Sequence, residues 1–303
     1  MMNTESLAPR YRDLDLWPTE LAVEAMLEGQ MAAIAAIQPQ TAAIAAAADA
    51  AAARLGEDGR LIFAGAGTSG RLAVQDGTEL TPTFGWPPER LAFLMAGGLD
   101  ALTQAQEGAE DEGDAGRVAI DAAQVTAADV VVGVAASGRT PYTLAAIEHA
   151  RGAGALTVGI ANNADTPLLT AAEHPICVET GSEVIAGSTR MKAGTAQKAV
   201  LNLLSTAIMV RLGLVYDGRM VAMRISNAKL LHRGRAMVRD IAGVDDATAA
   251  DALAAADNDI RVGIVMARGL PRDAARALLA THRGNLRPVM HELDVIQELD
   301  ARG

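Results

Sequence analysis

RLIFAGAGTSGR, residues 60–71, is the stretch that decides the fold class, because a short apolar run passes directly into a turn rich in Gly, Ser and Thr. Similar apolar runs follow at 90–96, 129–136, 156–161 and 175–180. Helical patterns lie between these runs and begin near Gly70, Leu99, Asp111 and Pro141. Strands that alternate with helices indicate βαβ units, so the sequence predicts an α/β fold with a five-stranded parallel sheet flanked by helices.

The segments on either side of this alternation read as helices. Before it, a helix is predicted from Thr19 to near Pro39, and a second, Ala-rich helix ends at Gly56. After it, a long amphipathic helix occupies KAGTAQKAVLNLLSTAIMVRLG, residues 192–213, and stops at its final glycine.

The C-terminal part shows no strand pattern beyond about residue 220. Two of its segments are weakly alike, since each has a polar start, an Ala- and Leu-rich helix and a turn that contains Asn258 or Asn285. We expect a small all-helical C-terminal domain, with a degenerate duplication as one explanation of the likeness. The predicted division is 1–55 for the N-terminal extended segment and helices, 56–216 for the sheet domain and 217–303 for the helical domain.

Composition excludes several classes of function. A net charge of −11 with 3% aromatic residues argues against a nucleic-acid binder, which needs a cationic surface and usually aromatic platforms. The single cysteine, Cys177, excludes an internal disulfide and a multi-cysteine metal site, and we expect it in the core. The N-terminus shows no secretory pattern, and no run of about 18 apolar residues is free of polar breaks. The sequence therefore predicts a soluble cytoplasmic protein without a membrane span.

Three loops of similar composition follow predicted strands. They are GAGTSGR at 65–71, ASGRTP at 136–141 and AGSTRMKAGT at 186–195. In open α/β sheets, ligands bind beyond the carboxyl ends of the strands, which is where these loops are expected.

The first loop resembles two nucleotide-binding motifs, and its residues disfavour both. GxGxxG is present, but Thr68 and Ser69 occupy positions where a pyrophosphate needs bare backbone, and no acidic residue falls well at the expected distance. A P-loop continues with Lys and then Ser or Thr, whereas this loop continues with Arg71 and Leu72.

The three loops together favour a site for a small anion such as a phosphate monoester. Backbone N–H groups, hydroxyls and helix N-termini bind such ions, and cationic side chains accompany the loops in an otherwise acidic protein. Turns and caps explain Gly, Ser and Thr in any one loop, so the repetition carries the prediction. The candidate ligands are Gly67, Thr68, Ser69, Gly70, Arg71, Ser137, Gly138, Arg139, Thr140, Ser188, Thr189, Arg190 and Lys192.

Two glutamates are the candidate catalytic groups. Glu79 lies in QDGTELTPTFGW, where apolar and proline-rich neighbours predict the partial burial that suits a general acid. Glu110 lies in the acidic run QEGAEDEGD, for which a solvated helix start is the alternative. The five histidines show no metal-ligand spacing and no serine lies in GxSxG, so we expect neither a metal site nor a serine hydrolase.

Four segments carry a resemblance to a known family. They are GRLIFAGAGTSGRLAVQDGTELTPTFG, EGAED, VVVGVAASGRTPYTLA and EVIAGSTRMKAGTAQKAVLNLLST. Together they closely resemble the N-acetylmuramic acid 6-phosphate etherases, which have a sugar isomerase (SIS) domain and are related to the glucokinase regulatory protein. The likeness runs from Thr4–Glu5 to the helical C-terminus.

The resemblance implies an SIS fold, a homodimer, a phosphosugar substrate and no metal or organic cofactor. It implies cleavage of the D-lactyl ether of N-acetylmuramic acid 6-phosphate with water, giving N-acetylglucosamine 6-phosphate and D-lactate. In that reaction the open-chain aldehyde acidifies the C2 proton, a base removes it, lactate leaves from C3 with help from an acid, and water adds back. By resemblance, Glu79 matches the proton donor to lactate and Glu110 the other catalytic carboxylate, as the C2 base. The residues that would hold the 6-phosphate are Thr68, Ser69, Ser137 and Thr140.

The sequence departs from the family pattern at few places. Ala8 stands where the pattern usually has Asn, and Leu80–Thr81 where it often has Cys–Pro. Two alternatives remain, an aldose–ketose phosphosugar isomerase and a non-catalytic sugar-phosphate sensor. The presence of both Glu79 and Glu110 in their motifs favours the etherase.

Overall fold

A computed structural model describes residues 3–104 and 106–300 of the chain. Within them, five strands form one parallel sheet in the order β2-β1-β3-β4-β5. The strands are β1 Leu61–Gly65, β2 Leu91–Met95, β3 Val130–Val134, β4 Leu156–Ala161 and β5 His174–Cys177. The predicted five-stranded parallel sheet is confirmed. The last strand is shorter than the run at 175–180, because its pairing with β4 ends at Cys177 beside Ala161.

The central strands owe their burial to apolar residues on both faces. Every residue of β1, β3 and β4 is buried, whereas the edge strand β2 is mostly half-buried. Phe63 of β1 stacks on Phe93 of β2 with ring centroids 6.0 Å apart. Aliphatic side chains fill most of the remaining core of the sheet, as the low aromatic content requires.

Helices flank the sheet and continue into the C-terminal part. Their bounds are α1 Thr19–Ala35, α2 Thr41–Leu55, α3 Gly67–Thr78, α4 Leu80–Phe84, α5 Gly113–Ala122, α6 Pro141–Gly152, α7 Pro167–Ala171, α8 Lys192–Arg211, α9 Ala228–Ala242, α10 Asp246–Ala255, α11 Ile260–Ala267, α12 Arg272–Thr281 and α13 Leu286–Asp300. The helix predicted near Leu99 is wrong, since only a 3-10 turn spans Leu99–Leu102. Leu99 is exposed and only Ala101 is buried there, so the segment lacks the apolar face that stabilises a longer helix.

The chain divides into two compact units. The first contains residues up to Thr78 together with Glu89–Ile208, and the second contains Glu79–Pro88 together with residues from Met209 onward. The N-terminal helices thus group with the sheet. The second unit has its own core, in which Val221, Val238 and Leu253 are fully buried. The three-part division at 55 and 216 stays a prediction.

Helices α1 and α2 together form a long, apolar helical stretch. A window within Thr19–Leu55 is long and apolar enough to cross a membrane, by length and composition only. A 3-10 turn at Gln38–Gln40 separates the two helices, and α2 packs against β3, β4 and β5. Buried core helices and N-terminal signal sequences pass the same test.

The weak internal likeness of the C-terminal part corresponds to two turns of the same geometry. In the α10–α11 turn, the N–H of Asn258 donates to Leu253 O and the N–H of Asp259 to Ala256 O. In the α12–α13 turn, Gly284 donates to Leu279 O and Asn285 to His282 O, with the same spacing. Asp259 and Asn285 then each accept from the backbone N–H two residues on. Asn258 and Asn285 thus both lie in these turns, as predicted, and the hydrogen-bond counterpart of Asn285 is Asp259.

Candidate functional site

A cavity of about 400 Å³ lies beyond the carboxyl ends of β1 and β3. The strand order reverses between these two strands, and α/β sheets bind ligands at such switch points. The lining residues come from three loops, one acidic turn and the N-terminal segment. They are Glu5, Ala66, Gly67, Thr68, Ser69, Glu110, Asp111, Ala136, Ser137, Arg139, Thr140, Pro141, Gly187 and Thr189.

The first loop turns directly from β1 into α3, because glycines allow strand and helix to approach. A Cβ on Gly70 would lie 2.8 Å from the carbonyl oxygen of Gly65, and one on Gly65 would lie 2.9 Å from the backbone N of Gly70. Thr68 and Ser69 fall in the first turn of α3, where the N–H groups have no partner within the helix. The first loop therefore presents hydroxyls and amide donors to the cavity.

The second loop connects β3 to α6, which begins at Pro141. The hydroxyl of Ser137 accepts a hydrogen bond from the N–H of Arg139 at 3.1 Å, and the Arg139 guanidinium donates to the carbonyl of Asp165 at 3.3 Å. Gly138 has a φ of +62°, and a Cβ there would lie 2.3 Å from Thr166 Oγ1. Buried Thr166 thus sets the path of the loop and leaves room only for glycine at position 138.

The third loop is closed by a buried carboxylate at the start of α8. Glu183 accepts from the backbone N–H groups of Lys192 and Ala193 at 2.8 and 2.9 Å. The Lys192 ammonium donates to the carbonyl of Ser182 at 2.8 Å. Burial lowers the pKa of Lys192, and the nearby Glu183 partly offsets this. The N-terminus of α8 is therefore already bound by a protein anion, and this loop lines the cavity only through Gly187 and Thr189.

The acidic run forms a 3-10 turn, Ala109–Asp111, before α5. Ala109 packs against a small cluster of Ala66, Ala96 and Tyr142, which holds the turn against the end of β1. Glu110 and Asp111 are exposed and both line the cavity. Three carboxylates, counting Glu5, and the single guanidinium of Arg139 are the charged groups of the lining.

The structure brings together part of the predicted site. The predicted residues that line the cavity are Gly67, Thr68, Ser69, Glu110, Ser137, Arg139, Thr140 and Thr189. Gly70 and Gly138 serve the loop geometry described above. Arg71 donates to the carbonyl of Ala101 at 2.9 Å, while Ser188, Arg190 and Lys192 are not among the lining residues.

Glu79 is not among the residues that line this cavity. It directly precedes α4 and belongs to the second compact unit. Its side chain is exposed, so the burial expected from its apolar neighbours is wrong. The apolar neighbours are buried while Glu79 is not, since Leu80, Phe84 and Trp86 are each at most 7% exposed.

Six lining residues were not among the predicted site residues: Glu5, Ala66, Asp111, Ala136, Pro141 and Gly187. Glu5 appeared only as part of the family resemblance, Asp111 only as a neighbour of Glu110, and Gly187 only as part of a loop. Asp111 could have been found from its place beside Glu110. Glu5 precedes β1 by more than fifty residues, so no local pattern connects it to the site.

Outside this cavity, metal-type clusters and the single cysteine are the remaining candidates for reactive groups. No cluster of three or more His, Cys, Asp or Glu side chains among the described residues is spaced to hold a metal ion. Cys177 is half-buried rather than fully in the core, and burial, together with Glu179 and Asp165, raises its pKa to about 11.

Relatives that match nearly the whole chain carry one name. A protein from Deinococcus radiodurans named N-acetylmuramic acid 6-phosphate etherase is 47% identical over 290 residues, which is 95% of this chain and 95% of that protein. A protein of the same name from Streptomyces coelicolor is 47% identical and covers 95% of this chain and 93% of its own length. The chain belongs to the N-acetylmuramic acid 6-phosphate etherase family. The predicted resemblance is confirmed.

Two family models and a solved structure bear on the fold of the chain. The glucokinase regulatory protein N-terminal SIS domain matches residues 43–151, and the SIS domain matches residues 109–207. A protein from Bacteroides fragilis described as a phosphosugar isomerase involved in capsule formation aligns with a TM-score of 0.52 at 20% identity. That alignment covers 66% of this chain and 95% of the other, and it shows the fold alone. The predicted SIS fold is confirmed.

Proposed function

We propose that this protein cleaves the D-lactyl ether of N-acetylmuramic acid 6-phosphate with water, giving N-acetylglucosamine 6-phosphate and D-lactate. The observation that carries the proposal is 47% identity to a named etherase across 95% of both chains. The cavity at the β1–β3 switch point supports it, because a carboxylate faces loops of the kind that bind phosphate.

The phosphate is assigned to the first and second loops. Thr68 and Ser69 offer hydroxyls beside the N-terminus of α3, and Ser137 and Thr140 do so beside that of α6. Helix N-termini favour anions through their free N–H groups and their dipoles. The third loop contributes less, since Glu183 already binds the N-terminus of α8. Of the candidate anion ligands predicted from the sequence, the proposal thus assigns six to the phosphate: Gly67, Thr68, Ser69, Ser137, Arg139 and Thr140.

Glu110 and Glu79 are assigned the proton transfers. Glu110 lines the cavity beside the phosphate loops, as a base for the C2 proton must. Lactate leaves as an alkoxide unless its ether oxygen is protonated, so a second carboxyl group is required as acid. Glu79 is proposed for that step on the strength of its motif and of its place directly after α3.

The test measures D-lactate released from N-acetylmuramic acid 6-phosphate by the purified protein. We expect Glu110→Gln and Glu79→Gln to lower kcat by at least about 100-fold, the usual scale of general acid–base catalysis. Solvent deuterium should still enter C2 in Glu79→Gln and not in Glu110→Gln. Glu89→Gln, an exposed change outside the cavity, is the matched control. A folded wild-type protein that binds the substrate and releases no lactate would refute the proposal.

A homodimer and a cytoplasmic location complete the proposal. Val23, Leu27, Met31 and Ile34 share one face of α1 and are 49–64% exposed, which suits a face covered by a second copy. Leu27→Glu combined with Met31→Glu should then give a monomer by light scattering, whereas Leu299→Glu, a change of an exposed leucine on α13, should not.

A phosphorylated substrate and a single cysteine both suit the cytoplasm, which cell fractionation would test.

A further inference from the structure

The N-terminal segment places a third carboxylate in the cavity, and the proposed reaction gives it no role. Glu5 lines the same space as Thr68, Ser137 and Glu110. It belongs to no strand-end loop, so its presence depends on contacts made by its own short segment.

Those contacts fix the segment on both sides of Glu5. Thr4 is fully buried; its hydroxyl accepts from the Asn163 side chain at 3.1 Å, and its carbonyl accepts from the N–H of Gly187 at 3.1 Å. Asn163 also donates to the carbonyl of Ala136, at the start of the second loop. The hydroxyl of Ser6 is 2.7 Å from that of Ser182. The segment is thus tied to two of the three loops that form the cavity.

The side chain of Glu5 lies beside the third loop. One carboxylate oxygen lies 2.9 Å from the position that a Cβ on Gly187 would take. Gly187 also lines the cavity, so the carboxylate occupies the space that a larger residue in the third loop would fill. Glu5 is exposed, which leaves its oxygens accessible to a ligand.

We infer that Glu5 is a substrate-binding residue that accepts a hydrogen bond from a hydroxyl or the amide N–H of the sugar. This inference rests on the proposed function. An ionised carboxylate only accepts hydrogen bonds. The phosphoryl and lactyl groups of the substrate are anionic acceptors, so they are unsuitable partners. The donors that remain are the hydroxyls and the N-acetyl N–H of the sugar itself.

The carboxylate of Glu5 affects substrate binding in two opposite ways, which makes the inference testable. As a negative charge near an anionic substrate, Glu5 weakens binding, and its neutralisation would lower KM. As a charge-assisted acceptor for a sugar donor, it strengthens binding, and its neutralisation raises KM. The affinity for inorganic phosphate depends only on the charge repulsion, because this ion has no sugar group that could donate to Glu5.

The experiment compares Glu5→Gln with Asp15→Asn, a change of an exposed acidic residue of the N-terminal segment that is not among the lining residues of this cavity. For Glu5→Gln we expect KM for D-lactate release to rise about tenfold, with kcat within about twofold and an unchanged melting temperature. Thr4→Val, which removes the hydroxyl that anchors the segment, should raise KM in the same direction.

Binding measured by calorimetry separates this inference from the etherase activity. In Glu5→Gln, the affinity for N-acetylglucosamine 6-phosphate should fall about tenfold, while that for inorganic phosphate stays equal or increases. This comparison holds even if the wild-type protein releases no lactate. Sugar-phosphate affinity that is unchanged or higher in Glu5→Gln would overturn the role of Glu5. Equal losses for both ligands would also overturn it, because they would indicate a disturbed phosphate loop.

Discussion

At the scale of single residues, the site depends on positions that carry no reactive group. Gly138 has a left-handed backbone conformation and faces Thr166, whose hydroxyl has no hydrogen-bond partner and whose side chain is 1% exposed. The carbonyl of Gly138 accepts from the N–H of Leu168 at 3.1 Å, so the loop is held against α7. A side chain at 138 must therefore displace either the loop or the residues that support it.

Gly138→Ala should separate this steric effect from backbone strain. We expect a loss of about 1–3 kcal/mol of unfolding free energy and a KM for the phosphosugar that rises at least about tenfold. The matched control is Gly56→Ala, which also has a positive φ, at +44°, but whose added Cβ meets nothing within 4 Å. Chemical denaturation and D-lactate release measure the two effects. If the KM values of the two variants agree, the contact with Thr166 does not shape the site.

At the scale of elements, an ion pair fixes the start of β3 beside the start of β1. Asp129 is 2% exposed and accepts from the Arg60 guanidinium at 2.7 Å, the Arg60 N–H at 2.9 Å and the Thr126 N–H at 2.8 Å. Burial alone would raise the pKa of Asp129, but these hydrogen bonds and the charge of Arg60 hold it below the ordinary value. This pair lies at the amino ends of the strands, opposite the cavity.

Asp129→Asn should cost about 2–4 kcal/mol of unfolding free energy at pH 7, because it leaves the half-buried Arg60 without its counter-charge. A depressed pKa stabilises the fold above the unfolded value of about 4, and this contribution is lost as the pH falls through the lower folded value. The stabilities of wild type and variant should therefore converge in acid when measured by urea denaturation. Asp114→Asn, which breaks an exposed pair with Arg117, should cost less than about 1 kcal/mol. A wild-type advantage that persists unchanged below about pH 3 would contradict the assignment.

The elements that could be predicted are those whose signal is local. Strand β1 ends at Gly65 and α8 ends near Gly213, because apolar runs and glycines mark such boundaries in the sequence itself. The short turn at Leu99 could not be told from a helix, since burial decides its length and burial is a tertiary property. The two C-terminal turns could be located by their Asn258 and Asn285, whereas only the backbone hydrogen bonds show that Asp259 is the counterpart of Asn285.

The site was predictable only as far as it follows the strands. Ser69 and Ser137 each come shortly after a strand, and the sheet order brings those strand ends together, whereas Glu110 lies in a 3-10 turn well beyond the end of β2. Lys192 was expected to face the ligand because of its charge, yet its ammonium binds the carbonyl of Ser182. Glu5 reaches the cavity because its neighbour Thr4 is hydrogen-bonded to Asn163, which lies 159 positions away along the chain. No periodicity in the sequence indicates such a contact.

At the scale of the whole molecule, the charge balance opposes the proposed substrate. The net charge of −11 and the carboxylates of Glu5, Glu110 and Asp111 repel an anionic sugar phosphate, while Arg139 is the cationic residue of the cavity lining. Such long-range interactions depend on salt, because the screening length falls from about 30 Å at 0.01 M to about 3 Å at 1 M. Arg139 therefore matters most when salt is low.

Arg139→Gln should lower kcat/KM about tenfold at about 0.01 M salt and only about two- to threefold at about 1 M. The residual effect at high salt reflects its hydrogen bonds, which ions screen less. Lys198→Gln, an exposed change on α8 outside the cavity, alters the net charge equally and should change kcat/KM by less than about twofold at either salt concentration. If the two variants lose activity equally at low salt, the field of the whole molecule governs substrate capture. A loss confined to Arg139→Gln instead shows that the cation of the cavity lining outweighs the repulsion of an acidic protein.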